Sequence, residues 1–342
     1  MSQAADKIRY SVGYRLPDLY DNIADIVTEN ADGIDEVYFA MPGKASGRAP
    51  LGLYEGVTSE QIAPYVYHDL QRIRSAGVKL TLLHNAACYG AEAASKTLAN
   101  RTIEETGQMV EKLGITAVTT TSPYLAKTLK GAFPALEIRA SVNMRIGTVE
   151  AMEVSQDFFD GFYMQREYNR SPAHIKRLRK WCDDHGKRLY MLVNSGCLRW
   201  CPFQSFHDNM VAHEAQSDIS DHGMEVSSYC RSWMRTTEHY LDFMRATWIR
   251  PEDMPNYAGL FDGYKLATRL HPNPRRVIEG YIRGSFMGSV TELTEPGFQH
   301  GNVYLDNTRF PKDWFEKTSD CSHECENCGY CKAVMENVHF KL

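Results

Sequence analysis

Seven of the nine cysteines fall in two groups, and their spacing is the clearest chemical signal in the sequence. The first group comprises Cys197, Cys201 and Cys230, and the second consists of four cysteines near the C-terminus. Sulfur ligands select soft metal centres such as zinc, Cu(I) and iron–sulfur clusters. Because disulfides are rare in a reducing compartment, clustered cysteines of this kind predict metal binding or catalysis rather than cross-links.

The first group follows a short apolar run, residues 189–193, that is typical of a buried strand and breaks at the sequence NSG. A structural zinc site closes with four nitrogen or sulfur ligands, so three cysteines leave one position to fill. Cys88 is the candidate, since it follows another predicted strand; alternatively, it is a small buried hydrophobic residue. Four cysteines drawn from two strand-end loops would suit a [4Fe–4S] cluster.

The second group has the spacing C-x3-C-x2-C-x2-C and comprises Cys321, Cys325, Cys328 and Cys331. Its last part resembles ferredoxin spacing, which favours a second iron–sulfur cluster, and a zinc knuckle is the alternative. The first three cysteines also match the ligand spacing of radical-SAM enzymes. In that superfamily the motif follows the first barrel strand, which counts against this interpretation. Cys182, inside a helical pattern, is predicted to be structural.

The rest of the chain alternates β-rich runs with amphipathic helical patterns, which predicts parallel βαβ units. Eight such units favour an α/β fold of the closed (β/α)8 TIM-like type. We expect a barrel over residues 1–290, with a long cysteine-containing insertion at 195–262, and a small extension with a Cys-rich tail at 291–342. A second long loop, 41–56, is rich in Gly and Pro. The predicted strands are residues 9–13, 36–40, 79–83, 117–121, 137–141, 161–164, 189–193 and 263–267.

Polar side chains follow most of the predicted strands, and in a closed barrel they would converge on one mouth. Arginine binds carboxylates bidentately and lysine acts as a point charge, so the set predicts a small anionic substrate or co-substrate. Some members could instead anchor loops. His207, in the insertion, could transfer protons because imidazole titrates near neutral pH, or it could cap a helix. The predicted catalytic residues are His207, Arg145 and Arg166, and the predicted substrate-binding residues are Asn85, Asn143, Gln165, Asn194, Lys265 and Arg269.

Composition excludes several classes of protein. Hydrophobic residues make up 43% and charged residues 24% of the 342, as in an ordinary globular protein. A formal net charge of −5 argues against bulk nucleic-acid binding. Neither a signal-peptide core nor a membrane-length apolar stretch is visible, which predicts a cytoplasmic protein with no membrane partner. No Cys and His pair is predicted as nucleophile and base and no HExxH motif occurs, which counts against proteolysis.

Several motifs resemble the peptidase U32 family, the collagenase-like group. They are HNAACYG, RASVNMR, GFYMQREYNR, NSGCLRWCPFQSFHDN, WIRPEDM, DGYKLATR and the cysteine-rich tail. The resemblance implies a barrel-like α/β fold and oxygen-independent hydroxylation with a [4Fe–4S] cluster on four cysteines. It implies tRNA, rRNA or a quinone precursor as substrate, and prephenate as oxygen source. It supports Cys197, Cys201 and Cys230 as ligands and makes Cys88 a plausible fourth ligand.

The chain also departs from the family pattern. It is shorter than the RNA-modifying members, and its four tail cysteines are not obviously shared by the quinone-pathway members. We therefore expect an iron–sulfur-dependent oxidoreductase, a hydroxylase of a small molecule or modified nucleoside, supplied with electrons by a donor protein. One alternative is a non-catalytic partner of a homologous subunit, with the tail as a docking knuckle. The other is a peptidase.

Overall fold

The computed structural model describes residues 7–18, 21–47, 51, 58–213, 229–297 and 303–341. Parallel strands close into an eight-stranded barrel, in which each strand pairs with the next along the chain and β1 pairs with β8. The predicted (β/α)8 barrel is confirmed. Its strands are β1 (Tyr10–Gly13), β2 (Ile34–Ala40), β3 (Lys79–His84), β4 (Ala117–Thr120), β5 (Glu137–Ala140), β6 (Gly161–Tyr163), β7 (Arg188–Leu192) and β8 (Gly263–Lys265).

Helices surround the barrel, and their ends carry the expected capping residues. The side chains of Ser95 and Ser122 accept hydrogen bonds from the backbone at the start of α3 and α4, which satisfies donors that the helix leaves unpaired. The helices are α1 (Ile23–Glu29), α2 (Ser59–Ser75), α3 (Lys96–Leu113), α4 (Pro123–Ala132), α5 (Val149–Ser155), α6 (Pro172–Asp184), α7 (Gln204–His213), α8 (Tyr229–Trp233), α9 (Thr237–Met244), α10 (Pro274–Arg283), α11 (Trp314–Thr318) and α12 (Tyr330–Val338).

The main apolar core lies between the strands and the helices, and the barrel interior contains a buried ion pair. Glu36 of β2 accepts hydrogen bonds from Arg139 Nη1 of β5, at 2.8 Å to each carboxylate oxygen. Ser11 and Thr81 donate to the same carboxylate. Burial alone would raise the pKa of Glu36, but Arg139 brings it below its usual value. The pair is therefore ionised, and it ties opposite sides of the barrel together.

A second apolar core joins the long insertion to the C-terminal extension. Met244 and Trp248, from the insertion, pack with Phe310, Trp314 and other residues of the extension. The extension also forms a two-stranded antiparallel sheet of β9 (Val303–Leu305) and β10 (His339–Lys341). The insertion and the extension are therefore packed as one unit beside the barrel.

Parts of both long loops lie outside the described residues, namely 48–50 and 52–57 in the first loop and 214–228 in the insertion. Within the described ranges, none of the helices has the length and apolar character needed to cross a bilayer.

Candidate active site at the barrel mouth

A cavity of about 40 Å³ lies at the carboxyl ends of the strands, where barrel enzymes place their chemistry. Five of the residues predicted from strand-end positions line it: Asn85, Asn143, Arg166, Lys265 and Arg269. The other lining residues are Tyr38, Gly47, Val142, Leu192, Ala267 and Glu295.

The three cationic side chains of the cavity are held by different elements. Arg166 is buried and donates from Nη1 to Ser195 Oγ at 3.2 Å. Arg269 donates from Nη1 to Ser46 Oγ at 3.1 Å. Lys265 Nζ lies 3.8 Å from the ring centroid of Tyr38, a cation–π contact. Three cations around so small a space favour a negatively charged ligand.

Two carboxamides approach the cavity beside Gly47. The Gly47 N–H donates to Asn85 Oδ1 at 3.0 Å. A Cβ at Gly47 would lie 2.8 Å from Asn85 Nδ2 and 2.9 Å from Asn143 Nδ2, closer than real Cβ contacts allow. Glycine at this position lets the loop lie against both amide groups without displacing them. The two Nδ2 atoms add neutral hydrogen-bond donors to the cationic set.

Glu295 is the one acidic residue among the described residues that line the cavity, and it was not among the residues predicted from the sequence. It lies beyond the last barrel helix, and its Oε2 accepts a hydrogen bond from the Leu270 N–H at 2.9 Å. Its backbone pairs with Ser195 as an isolated parallel bridge. Three cations and one carboxylate leave the lining with an excess of positive charge.

Four predicted site residues are not among those that line the cavity. Asn194 is fully buried, and its Nδ2 donates to the carbonyl oxygens of Ala267 and Leu293 while its Oδ1 accepts from the Ala267 N–H. Through these bonds Asn194 connects the segments that follow two strands. Its position therefore does not support the predicted contact with substrate. Arg145 approaches Glu167 at 3.5 Å. The remaining two are Gln165 and His207.

Cys197, Cys201 and Cys230 lie close to one another and to the cavity. Burial raises the pKa of Cys230, and the other two thiols raise it further, which shows their proximity. Ser195 Oγ accepts hydrogen bonds both from Arg166 and, at 3.4 Å, from the Cys197 N–H. Burial also raises the pKa of Cys201, while Arg166 opposes this rise. Arg166 is therefore a cation shared by the cavity and the thiol set.

Sulfur donors of this kind suit a soft metal centre, and adjacent cations would offset the negative charge of their thiolates. Within the described ranges, however, no group of three or more His, Cys, Asp or Glu side chains is already arranged to hold a metal ion. Metal binding by these cysteines therefore stays a prediction.

Cys88 has different surroundings from those expected of a fourth ligand. Its Sγ accepts a hydrogen bond from the Gly90 N–H at 3.3 Å. This bond lowers the pKa of Cys88, and a hydrogen bond with His213, at the end of α7, lowers it further. Cys88 and His213 are 125 positions apart in the chain, so local sequence patterns did not indicate this contact.

His84, the last residue of β3, gives this region a pH-dependent stability. Its Nε2 lies 3.1 Å from Thr106 Oγ1, and burial lowers the pKa of His84 from 6.5 to about 4. Since the folded-state pKa is the lower one, the stabilisation is complete above pH 6.5 and is lost as the pH falls towards 4.

We expect the unfolding free energy to fall by about 2 kcal/mol through this group between about pH 7 and pH 5. The His84→Gln variant should lack this component, because glutamine keeps a hydrogen-bonding side chain without titrating. Urea denaturation of both proteins at the two pH values measures the difference. Equal pH slopes for the two proteins would contradict the prediction.

Comparison with known proteins gives two informative similarities. No family model matches the chain. An uncharacterized protease of Methanocaldococcus jannaschii is 27% identical over 313 residues, covering 89% of this chain and 88% of the relative. The structure of the U32 peptidase Mk0906 matches with a TM-score of 0.55 and 15% identity, covering 78% of this chain and 95% of that one. The predicted resemblance to the U32 family is confirmed. At this identity, the U32 structure shows the shared fold.

Proposed function

We propose that this U32-like chain is an iron–sulfur-dependent oxidoreductase, of the oxygen-independent hydroxylase type, that binds a small carboxylate co-substrate in the barrel-mouth cavity. The observation that carries the proposal is the position of Arg166. Its guanidinium belongs to the cavity lining and, through Ser195 Oγ, is bridged to the backbone of Cys197. An anion in the cavity would thus lie beside the thiol set, as a reaction between the two requires.

Each residue of the cavity has a distinct task in this proposal. Arg166 and Arg269 present planar guanidinium groups that match a carboxylate, and Lys265 supplies a point charge. Asn85 and Asn143 donate from Nδ2 to oxygen atoms of the ligand. Together they bind and orient the ligand without themselves changing oxidation state.

Cys197, Cys201 and Cys230 would hold the cluster. When bound, such a cluster would supply electron transfer and, at an iron without a protein ligand, Lewis acidity. Burial raises the pKa of Cys201, and the Phe203 backbone hydrogen bond together with the charges of Arg166 and Arg145 opposes this rise.

The Lys265→Met variant tests the cavity as an anion site. Methionine keeps most of the side-chain length but removes the charge, so we expect the dissociation constant of a dicarboxylate such as malate to rise about 10- to 100-fold. Anaerobic isothermal titration calorimetry measures this. Lys180→Met, at an exposed helix position paired with Asp184, is the matched control and should bind malate like wild type. Unchanged affinity in Lys265→Met would contradict the assignment.

Peptide hydrolysis is the second candidate, and the Cys88–His213 pair is the observation that favours it. A thiol with a lowered pKa beside an imidazole is an arrangement of nucleophile and base. The relative and the matched structure are also named as a protease and a peptidase.

The Cys88→Ala variant separates the two candidates. If the chain is an oxidoreductase in which Cys88 is not a cluster ligand, the variant should keep the iron content and the malate affinity of wild type, and neither protein should cleave casein. Casein cleavage by wild type that disappears in Cys88→Ala would favour the peptidase. Loss of iron in the variant would instead assign Cys88 as the fourth ligand.

A further inference from the structure

The cysteine-rich tail is fixed against the barrel. The Asp320 N–H, immediately before the first tail cysteine, donates to the Arg170 carbonyl oxygen at 2.9 Å. Asp320 Oδ1 in turn accepts from the Ala173 N–H at 3.3 Å, in the first turn of α6. The segment is thereby held at a defined place, beside the insertion that carries the first cysteine group.

The tail loop contains tight turns next to its cysteines. Asp320 and His323, on either side of Cys321, have φ angles of 53° and 63°, a left-handed conformation that costs energy for residues other than glycine. The His323 N–H donates to Cys321 Sγ at 3.4 Å, and the Cys328 N–H donates to the Cys325 carbonyl oxygen at 3.4 Å. One backbone N–H is therefore directed at a tail sulfur atom, and a turn joins Cys325 to Cys328.

Arg170 lies in the apolar surroundings of the tail, fully buried. It donates from Nη1 and Nη2 to the carbonyl oxygens of Met244 and Trp248, at 2.9 and 2.8 Å. Its guanidinium lies 4.7 and 5.2 Å from the rings of Trp248 and Trp314. Burial lowers the pKa of Arg170 to about 10, and nearby Cys331 acts to raise it. A buried cation of this kind calls for negative charge close by.

Arg199 provides a second cation, from the other cysteine group. It stands between Cys197 and Cys201 in the sequence, yet its Nη1 lies 3.4 Å from His323 Nδ1 in the tail. The Arg199 side chain therefore extends from the segment of the first cysteine group to the tail.

We infer that Cys321, Cys325, Cys328 and Cys331 bind a soft metal as a four-thiolate centre, separate from the barrel set, with Arg170 and Arg199 as its neighbouring cations. Four thiolates around a divalent metal carry a net charge of about −2, which two guanidinium groups would balance. Cys331 and Cys230 pack against the same apolar cluster, so the two centres would be neighbours. Metal binding at this site does not depend on the barrel-mouth cavity or on an anion bound there, so the inference goes beyond the proposed function.

Metal analysis of the full-length chain, purified without oxygen, tests the inference. The variants are Cys328→Ala, whose side chain is exposed and whose loss should spare the fold, Cys331→Ala, and the buried control Cys182→Ala. Each tail variant should lose one zinc, or about four irons with their sulfide, and Cys182→Ala should lose nothing. Zinc would make the centre structural, and iron with sulfide would make it an electron-transfer group.

The barrel variant Cys197→Ala distinguishes this inference from the proposed function. It should keep the tail metal and lose the barrel iron. If wild type holds only tail metal, the proposed function fails and the inference stands. Tail variants that keep the metal content of wild type would overturn the inference. Tail variants that lose the metal of both cysteine groups would also overturn it, because a single shared centre would then explain the data. Circular dichroism of every variant confirms that the comparison is made between folded proteins.

Discussion

Changing Cys201 to alanine is expected to remove about four irons per chain and to abolish turnover. Cys201 lies with Cys197 and Cys230 beside Arg166, so its loss would break the ligand set next to the cavity. Two remaining thiolates cannot retain a cubane cluster under purification. Iron and sulfide analysis together with the visible spectrum measures the effect.

Cys182→Ala is the control for this experiment. Cys182 is fully buried in α6, and burial raises the pKa of its thiol to about 12, so that it is not a thiolate at neutral pH. The control should keep the iron content and colour of wild type. Wild-type iron content in Cys201→Ala would show that this cysteine is not a ligand.

Changing Arg139 to alanine is expected to cost about 3–5 kcal/mol of unfolding free energy, because it leaves Glu36 charged and unpaired inside the barrel. Arg139 also bonds to Glu137 at 2.9 Å and lies 4.3 Å from the Tyr190 ring centroid, so the substitution removes packing as well as charge. Urea denaturation at neutral pH gives the value.

The double variant Glu36→Gln with Arg139→Met separates the charge effect from lost packing. Removing both charges should recover a large part of the stability lost in Arg139→Ala, since no uncompensated ion then remains buried. Lys180→Ala, which breaks an exposed ion pair, should leave the denaturation midpoint nearly unchanged. An Arg139→Ala variant as stable as wild type would show that Glu36 does not depend on Arg139 inside the barrel, which would contradict the prediction.

The eight strands could be predicted because each is a short β-rich run followed by polar or turn residues, and this pattern depends on neighbouring positions only. The same local pattern predicted that Asn85, Lys265 and Arg269 lie at the mouth, because residues at or just beyond the carboxyl end of a parallel strand lie at that end of the barrel. Asn194 has the same position in its strand. Its amide is satisfied by backbone groups of other segments, and nothing in the local sequence distinguishes it from a ligand-binding residue.

What the sequence could not show depends on distant parts of the chain meeting. Glu295 reaches the cavity from beyond the last barrel helix, and Cys88 meets His213 from another strand-end loop. The contact of Arg199 with His323 likewise follows from the apolar core that the insertion and the extension share. Hydrophobic patterns predict which faces of a helix or strand are buried, but they do not predict which distant segment packs against each face.

The most direct test of the central claim, that the anion cavity and the barrel thiols form one site, is electron paramagnetic resonance of the reduced, anaerobically purified protein during titration with malate. The cluster signal of wild type is expected to shift saturably as malate binds beside Arg166. In Lys265→Met the same shift should require about 10- to 100-fold more malate, in line with the lost charge. A wild-type protein without a cluster signal, or a signal that saturating malate leaves unchanged, would contradict the account.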